Sequence, residues 1–304
     1  MNEYLLQTVC LTKIYGKQKA VDSLSLNVKR GAIYGLIGRN GAGKTTFMKM
    51  ISGLAKPTSG EICLFGKDGE LANTQQHRIG ALIESPGIYG DMTAFDNMRL
   101  KATAMGVYNK DKINELLALV GLDDTGSKKA GKFSLGMKQR LGIAMSMIGT
   151  PDLLILDEPI NGLDPQGIIE IRGVIEKLSR EYEMTIIISS HILDELSRIA
   201  THYAIINEGR LIQELSKEEL LDKCTECIEI KSEAVKDVCL VLEEMGCTDY
   251  EVCDSSTVRV NNCCDKLSDI NMALAGRGIR INGISLKQES LEEFFVNLTG
   301  GAAE

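Results

Sequence analysis

Gly38-Arg39-Asn40-Gly41-Ala42-Gly43-Lys44-Thr45 is the stretch from which the rest of the chain is read. It fits the pattern G-x-x-x-x-G-K-[ST]. Glycines let backbone N–H groups converge on phosphate oxygens, where any Cβ would obstruct that conformation. Lys44 has the length to reach the outer phosphates of a nucleoside triphosphate, and the Thr45 hydroxyl is an oxygen ligand for Mg²⁺. A helix that starts at the loop adds the positive end of its dipole. The flanks agree with this reading. Ala32-Ile33-Tyr34-Gly35-Leu36-Ile37 is an apolar strand running into the loop, and Phe47, Ile51 and Leu54 recur after it at helical spacing, which predicts one buried stripe.

Outward from the loop, short apolar strands alternate with helical patterns, the order that builds a mostly parallel sheet in an α/β domain. Pro57-Thr58-Ser59-Gly60 makes a turn into a strand at Glu61-Ile62-Cys63-Leu64-Phe65. Leu153-Leu154-Ile155-Leu156 and Thr185-Ile186-Ile187-Ile188 are unbroken aliphatic runs, suited to central strands covered on both faces. Asp157-Glu158 ends the first run, and ligands of open α/β sheets gather at the carboxyl ends of strands. Beside a phosphate loop, Asp157 is expected to hold Mg²⁺ directly or through water, and Glu158 to polarise the attacking water. Away from such a loop, the same pair would be a solvated strand end.

Between about residues 90 and 150 the pattern becomes helical, rich in Met and Ala. From about 223 it changes again, to β-α-β-β-α-β. Ile228–Ile230 reads as a strand and Val235–Met245 as a helix. Tyr250–Val252 and Thr257–Val260 form a hairpin about Asp254-Ser255-Ser256. Lys266–Ala275 is a helix, and a last strand begins at Ile279-Arg280-Ile281. That order is the ferredoxin-like one. The domain expectation is therefore 1–222 for the nucleotide domain, with a helical part about 85–150, and 223–304 for a small α+β domain.

Bulk properties narrow the partners. A net charge of −8 over 304 residues argues against nucleic acid and against adhesion to anionic lipid. No apolar run is long enough to span a bilayer. Met1-Asn2-Glu3-Tyr4 lacks the basic and apolar regions of a secretory signal, so the nine cysteines are expected to be reduced thiols. Cys224 and Cys227 have metal-ligand spacing and Cys263-Cys264 are adjacent, but no second pair and no histidine follows to complete a zinc set. Met92, Met98 and Met105 suit core filling or an adaptable partner surface.

Over about residues 1–220 the sequence resembles an ATP-binding cassette (ABC) ATPase. The resemblance implies that fold: a mostly parallel sheet, an antiparallel β subdomain and a helical insertion. Tyr15 matches the aromatic that stacks on adenine, and Gly38 to Thr45 with Thr46 the phosphate loop. Phe133-Ser134-Leu135-Gly136-Met137 matches the signature usually written LSGGQ. Ser134 and Gly136 are kept, with Leu135 in place of a glycine and Met137 in place of the glutamine. Asn161-Gly162-Leu163-Asp164 matches the dimer-contacting loop, and His191 the switch histidine that contacts the γ-phosphate. Where the family has a glutamine, this chain has Glu84, within Gly80-Ala81-Leu82-Ile83-Glu84-Ser85-Pro86. That carboxylate and the run Phe133 to Arg140 resemble the ATPases of bacitracin- and lantibiotic-type resistance exporters. Glu84 joins Thr45 and Asp157 as a candidate Mg²⁺ ligand.

The resemblance further implies an ATP-hydrolysing subunit peripheral to the cytoplasmic face of a membrane, working with a separate permease. ATP would be sandwiched in a homodimer or pseudo-dimer, with Ser134 and Gly136 of one copy completing the site of the other. The alternatives are an exporter ATPase for a drug, lipid or polysaccharide, a soluble ABC ATPase, and a module that binds nucleotide without hydrolysing it. Lys44, Asp157, Glu158 and His191, all intact, oppose the last.

Overall fold

The computed structural model describes residues 4–68, 72, 74–191, 193–223, 226–261, 263–288, 294–295 and 298. The chain divides into two compact units, Met1–Lys217 and Glu218–Glu304.

The first unit opens with β1 (Tyr4–Tyr15), β2 (Gln18–Lys29) and β3 (Ile33–Ile37), followed by helix α1 (Lys44–Ile51). Next come β4 (Ser59–Leu64), the two-residue β5 (Lys67–Asp68) and β6 (Ile79–Leu82). Three helices fill the Met- and Ala-rich region: α2 (Ala94–Ala104), α3 (Lys110–Leu119) and α4 (Leu135–Ser146). The unit continues with β7 (Leu153–Leu156), α5 (Pro165–Tyr182), β8 (Thr185–Ser190), α6 (Leu193–Ile199), β9 (His202–Asn207) and β10 (Arg210–Ser216).

Two sheets organise it. β2-β1-β4-β5 is antiparallel. β10-β9-β3-β8-β7-β6 is parallel except for the antiparallel edge strand β10. β3, β7 and β8 are buried along their whole length, as uninterrupted aliphatic strands covered on both faces must be. One core cluster draws Leu6, Leu24 and Leu26 from the antiparallel sheet, Phe47 and Ile51 from α1, and Ile155 and Ile187 from the parallel sheet.

In this first unit two local readings differ from the structure. Phe47 and Ile51 are buried, but Leu54 is 67% exposed. The helix closes at Ser52, and Gly53, at φ 75°, turns the chain before the stripe continues. Ser59 and Gly60, assigned to a turn, already belong to β4, because Gly60 lies against the Cys10 carbonyl of the β1 bulge. Of the three methionines, Met98 is buried in α2 while Met105 is exposed beyond its end.

α7 (Lys217–Lys223) spans the division between the units. The second unit then has β11 (Glu226–Lys231), α8 (Val235–Glu244), β12 (Tyr250–Val252), β13 (Thr257–Asn261), α9 (Leu267–Gly276) and β14 (Gly283–Gln288). Its sheet order is β12-β13-β11-β14, all antiparallel, with α8 and α9 packed on one core of Ile228, Val238, Leu242, Val260, Ile270 and Leu274. The last strand starts at Gly283, later than the Ile279–Ile281 reading. Ile279 ends the turn out of α9, its N–H bonded to the Leu274 carbonyl, and the register with β11 begins at Gly283–Lys231. Cys224 lies outside the described residues. Among the described residues no cluster of three or more His, Cys, Asp or Glu is arranged to hold a metal.

Candidate active site

The parallel sheet delivers the polar residues to one edge. The phosphate loop follows β3, Glu84 follows β6, Asp157 and Glu158 follow β7, and His191 follows β8. Register fixes their closeness: Leu82 pairs with Leu156, and Leu156 with Ile188. The Asp157 N–H donates to the Leu82 carbonyl at 2.8 Å.

The glycines behave as the motif requires. Gly41 and Gly43 have φ of 81° and 103°, and a Cβ on Gly43 would run into the Ala20 carbonyl. A Cβ on Gly38 would lie 2.5 Å from the Ile206 carbonyl oxygen. Arg39, Asn40 and Gly41 are exposed, whereas Ala42 and Lys44 are buried. The Lys44 ammonium donates to the carbonyls of Gly38 (2.5 Å) and Arg39 (3.3 Å) and stands 3.5 Å from Glu158 Oε1. Thr45 and Thr46 begin α1, half-buried.

Thr45 donates its hydroxyl to Asp157 Oδ2 at 2.7 Å, and Ser189 donates to Asp157 Oδ1 at 2.6 Å. The same Ser189 oxygen accepts the Glu158 N–H at 2.9 Å. Glu158 sits at φ 48°, an uncommon region for a residue with a Cβ. Its Oε2 is 2.8 Å from His191 Nδ1. An ionised carboxylate only accepts, so Nδ1 carries the proton in this pairing. Glu158 Oε1 is buried with no hydrogen-bond partner, facing only the Lys44 charge. This leaves an oriented carboxylate with one oxygen free to take a proton.

Glu84, at φ 65°, pairs with Lys49 of α1 at 2.6 Å. Tyr15 ends β1 half exposed, with the Lys13 ammonium over its ring, 5.0 Å from the centre. Ser134 and Gly136 open α4 instead. Ser134 caps that helix by accepting the Met137 N–H at 3.2 Å, and Gly136 neighbours Leu163 and Gly167. Leu135 beside them is 49% exposed. Asp164 caps α5 through the Gly167 N–H at 3.1 Å. The structure thus gathers residues 38–46, 157, 158 and 191 at one place and puts Ser134, Gly136 and Asp164 at two helix starts. Sequence reading missed Ser189 and Lys49. A serine after an aliphatic run and a lysine on a helix carry no local signal, and both depend on long-range register.

A phosphate loop at the end of β3 and an acidic pair at the end of β7, with β8 between the two strands, define a phosphate-loop nucleoside triphosphatase. A profile of the ABC transporter family matches residues 21–161. Over 300 residues the chain is 44% identical to the bacitracin transport ATP-binding protein BcrA of Bacillus licheniformis, covering 98% of each. It is 46% identical over 210 residues to the lantibiotic transport ATP-binding protein SrtF of Streptococcus pyogenes, covering 69% of this chain and 90% of that one. An ATP-binding cassette of an ABC transporter, solved in its ADP conformation, superposes with TM-score 0.64 at 25% identity, over 71% of this chain and 92% of that one. The chain belongs to the ATP-binding subunits of the ABC transporter family and is an ATPase. No helix among the described residues is long and apolar enough to cross a membrane.

Proposed function

We propose that this chain powers export of peptide antibiotics of the bacitracin or lantibiotic class, seated on the cytoplasmic face of the membrane against a separate permease. The cargo reading is supported by the likeness to BcrA and SrtF and by the carboxylate at Glu84. Transport work needs hydrolysis as well as binding. The observation that carries hydrolysis is Glu158, paired at Oε2 with His191, its buried Oε1 without a hydrogen bond and 3.5 Å from the Lys44 ammonium.

The backbone of Gly38 to Thr46 cradles the phosphates, Lys44 leaves its loop carbonyls for the outer phosphates, and Tyr15 stacks on the base. Thr45 and Asp157, two oxygen donors in contact, fit a hard cation and would hold Mg²⁺, which neutralises phosphate charge. Glu158 Oε1 accepts the proton of the attacking water, and His191 keeps the carboxylate turned and presents its other nitrogen outward. Ser134 and Gly136, at the exposed start of α4, supply a hydroxyl and helix N-terminal N–H groups to the ATP of a second copy. Coupling to the permease runs through the segment at Glu84 and the helices α2 to α4.

Glu158→Gln is expected to bind ATP with unchanged affinity while steady turnover falls by about 10²-fold or more; equal rates would refute the role of Glu158. Cells carrying this chain with its permease should survive higher bacitracin or nisin concentrations than cells carrying Glu158→Gln. Equal susceptibility to every such peptide would remove the cargo assignment and leave the ATPase.

A further inference from the structure

The site already holds Asp157 and Glu158, and its substrate is strongly anionic. Glu84 adds a third carboxylate where the family resemblance calls for a neutral amide. An uncompensated charge there would repel the nucleotide, and the repulsion would be strongest where water is partly excluded. Lys49 answers it. Its ammonium is 2.6 Å from Glu84 Oε1. Lys49 lies four residues after Thr45 on α1, so the two share one helix face. Leu82 and Leu156 are in register and the Asp157 N–H bonds to the Leu82 carbonyl, which sets the Glu84 segment beside Asp157. The left-handed backbone at Glu84 fixes the direction in which the chain leaves β6.

We propose that Lys49 is a positioning residue of the nucleotide site: it tethers and neutralises Glu84, so that a carboxylate can stand in for the amide without opposing Mg²⁺ and ATP. This rests on the reading that Glu84 faces the metal-bound nucleotide. With side-chain exposures of 32% and 65%, the pair adds little to folding.

Six proteins test it: the unmodified chain, Lys49→Met, Lys49→Arg, Glu84→Gln, Glu84→Ala, and the double variant Lys49→Met/Glu84→Gln. A fluorescent ATP analogue is titrated at saturating Mg²⁺ and again in EDTA, beside KM and kcat for MgATP and the melting midpoint. Lys49→Met is expected to weaken analogue binding about three- to tenfold in both conditions and to raise KM more than it lowers kcat, with the midpoint unmoved. The double variant should return to within about twofold of Glu84→Gln, because the charge needing compensation is gone. Lys49→Arg, which keeps the charge, should bind as the unmodified chain does. A double variant as weak as Lys49→Met, or a Lys49→Met protein that binds normally, overturns the proposal and leaves Glu84 where it is. If Glu84→Gln and Glu84→Ala both keep the unmodified Mg²⁺ dependence of binding, the placement of Glu84 at the metal fails first, and the role of Lys49 falls with it.

Discussion

Ser189 joins the two acidic residues of the site with a single oxygen. It donates to Asp157 Oδ1 and accepts from the Glu158 N–H, inside a strand end with no solvent contact. Ser189→Ala removes the hydrogen bond to Asp157 Oδ1 and the acceptor of the Glu158 N–H, leaving Asp157 held by Thr45 alone. The expected cost is about 1–3 kcal/mol in denaturant unfolding. Turnover should also fall, since the Glu158 N–H bond helps hold the uncommon backbone conformation there; unchanged kcat would limit Ser189 to a packing role. The phosphate loop and the acidic pair were legible in sequence, because Gly38 to Thr45 and Asp157-Glu158 each combine a reactive type with a strand end, whereas His191 was read only through its match to the switch histidine of the family the chain resembles. Ser189 was not, since its partners lie about thirty residues away and meet it only through the register of β7 with β8.

Among the elements, β6 and β7 are tied at their starts as well as by their ladder. Arg78 Nε donates to Asp152 Oδ2 at 2.8 Å, and the Asp152 N–H donates to the Arg78 carbonyl at 2.9 Å. The Arg78 guanidinium also lies over the Phe65 ring at 3.8 Å. The hydrogen bond from Arg78 holds the Asp152 carboxyl below its usual range. A depressed carboxylate stabilises the fold above its unfolded pKa of about 4, and the benefit is lost as pH falls through the lower native value. Arg78→Gln removes the pairing, a change of about 0.5–1 kcal/mol for so exposed a pair. The gap in melting midpoint between the two proteins should be constant at neutral pH and narrow below about pH 4, leaving the share owed to the Phe65 contact; a gap that widens in acid would contradict this. Ser134 caps α4, Thr93 caps α2 and Asn109 caps α3, each through a side-chain oxygen that accepts a first-turn N–H. The end of α1 was not legible in sequence, because the spacing of Phe47, Ile51 and Leu54 continues past the point where Gly53 turns the chain.

For the molecule entire, one chain supplies the phosphate loop and the acidic pair at one place, and the starts of α4 and α5 at others. A second copy must bring its α4 to the nucleotide if Ser134 and Gly136 are to act on it. Glu158→Gln, which retains ATP, is therefore expected to sediment as a dimer with ATP and as a monomer without it. A monomer at saturating ATP would oppose the shared-site reading. The unit Glu218–Glu304 has the ferredoxin-like strand order that its β-α-β-β-α-β sequence pattern suggested.

Sequence sufficed for whatever rests on local chemistry. It located the phosphate loop, since only glycine tolerates the backbone at Gly41 and Gly43. It located the central strands, since unbroken aliphatic runs have nowhere to go but a doubly covered sheet. Through those runs it also gave the carboxyl-end positions of Asp157 and His191. What tertiary structure alone decided are the contacts between strands distant in sequence: the Ser189 bridge, the His191–Glu158 pair, the orphaned Glu158 oxygen and the hold of Lys49 on Glu84. Each depends on which strands adjoin and in what register, and the pairing of parallel strands through long crossovers is set by the burial of the whole sheet, not by any short stretch of residues.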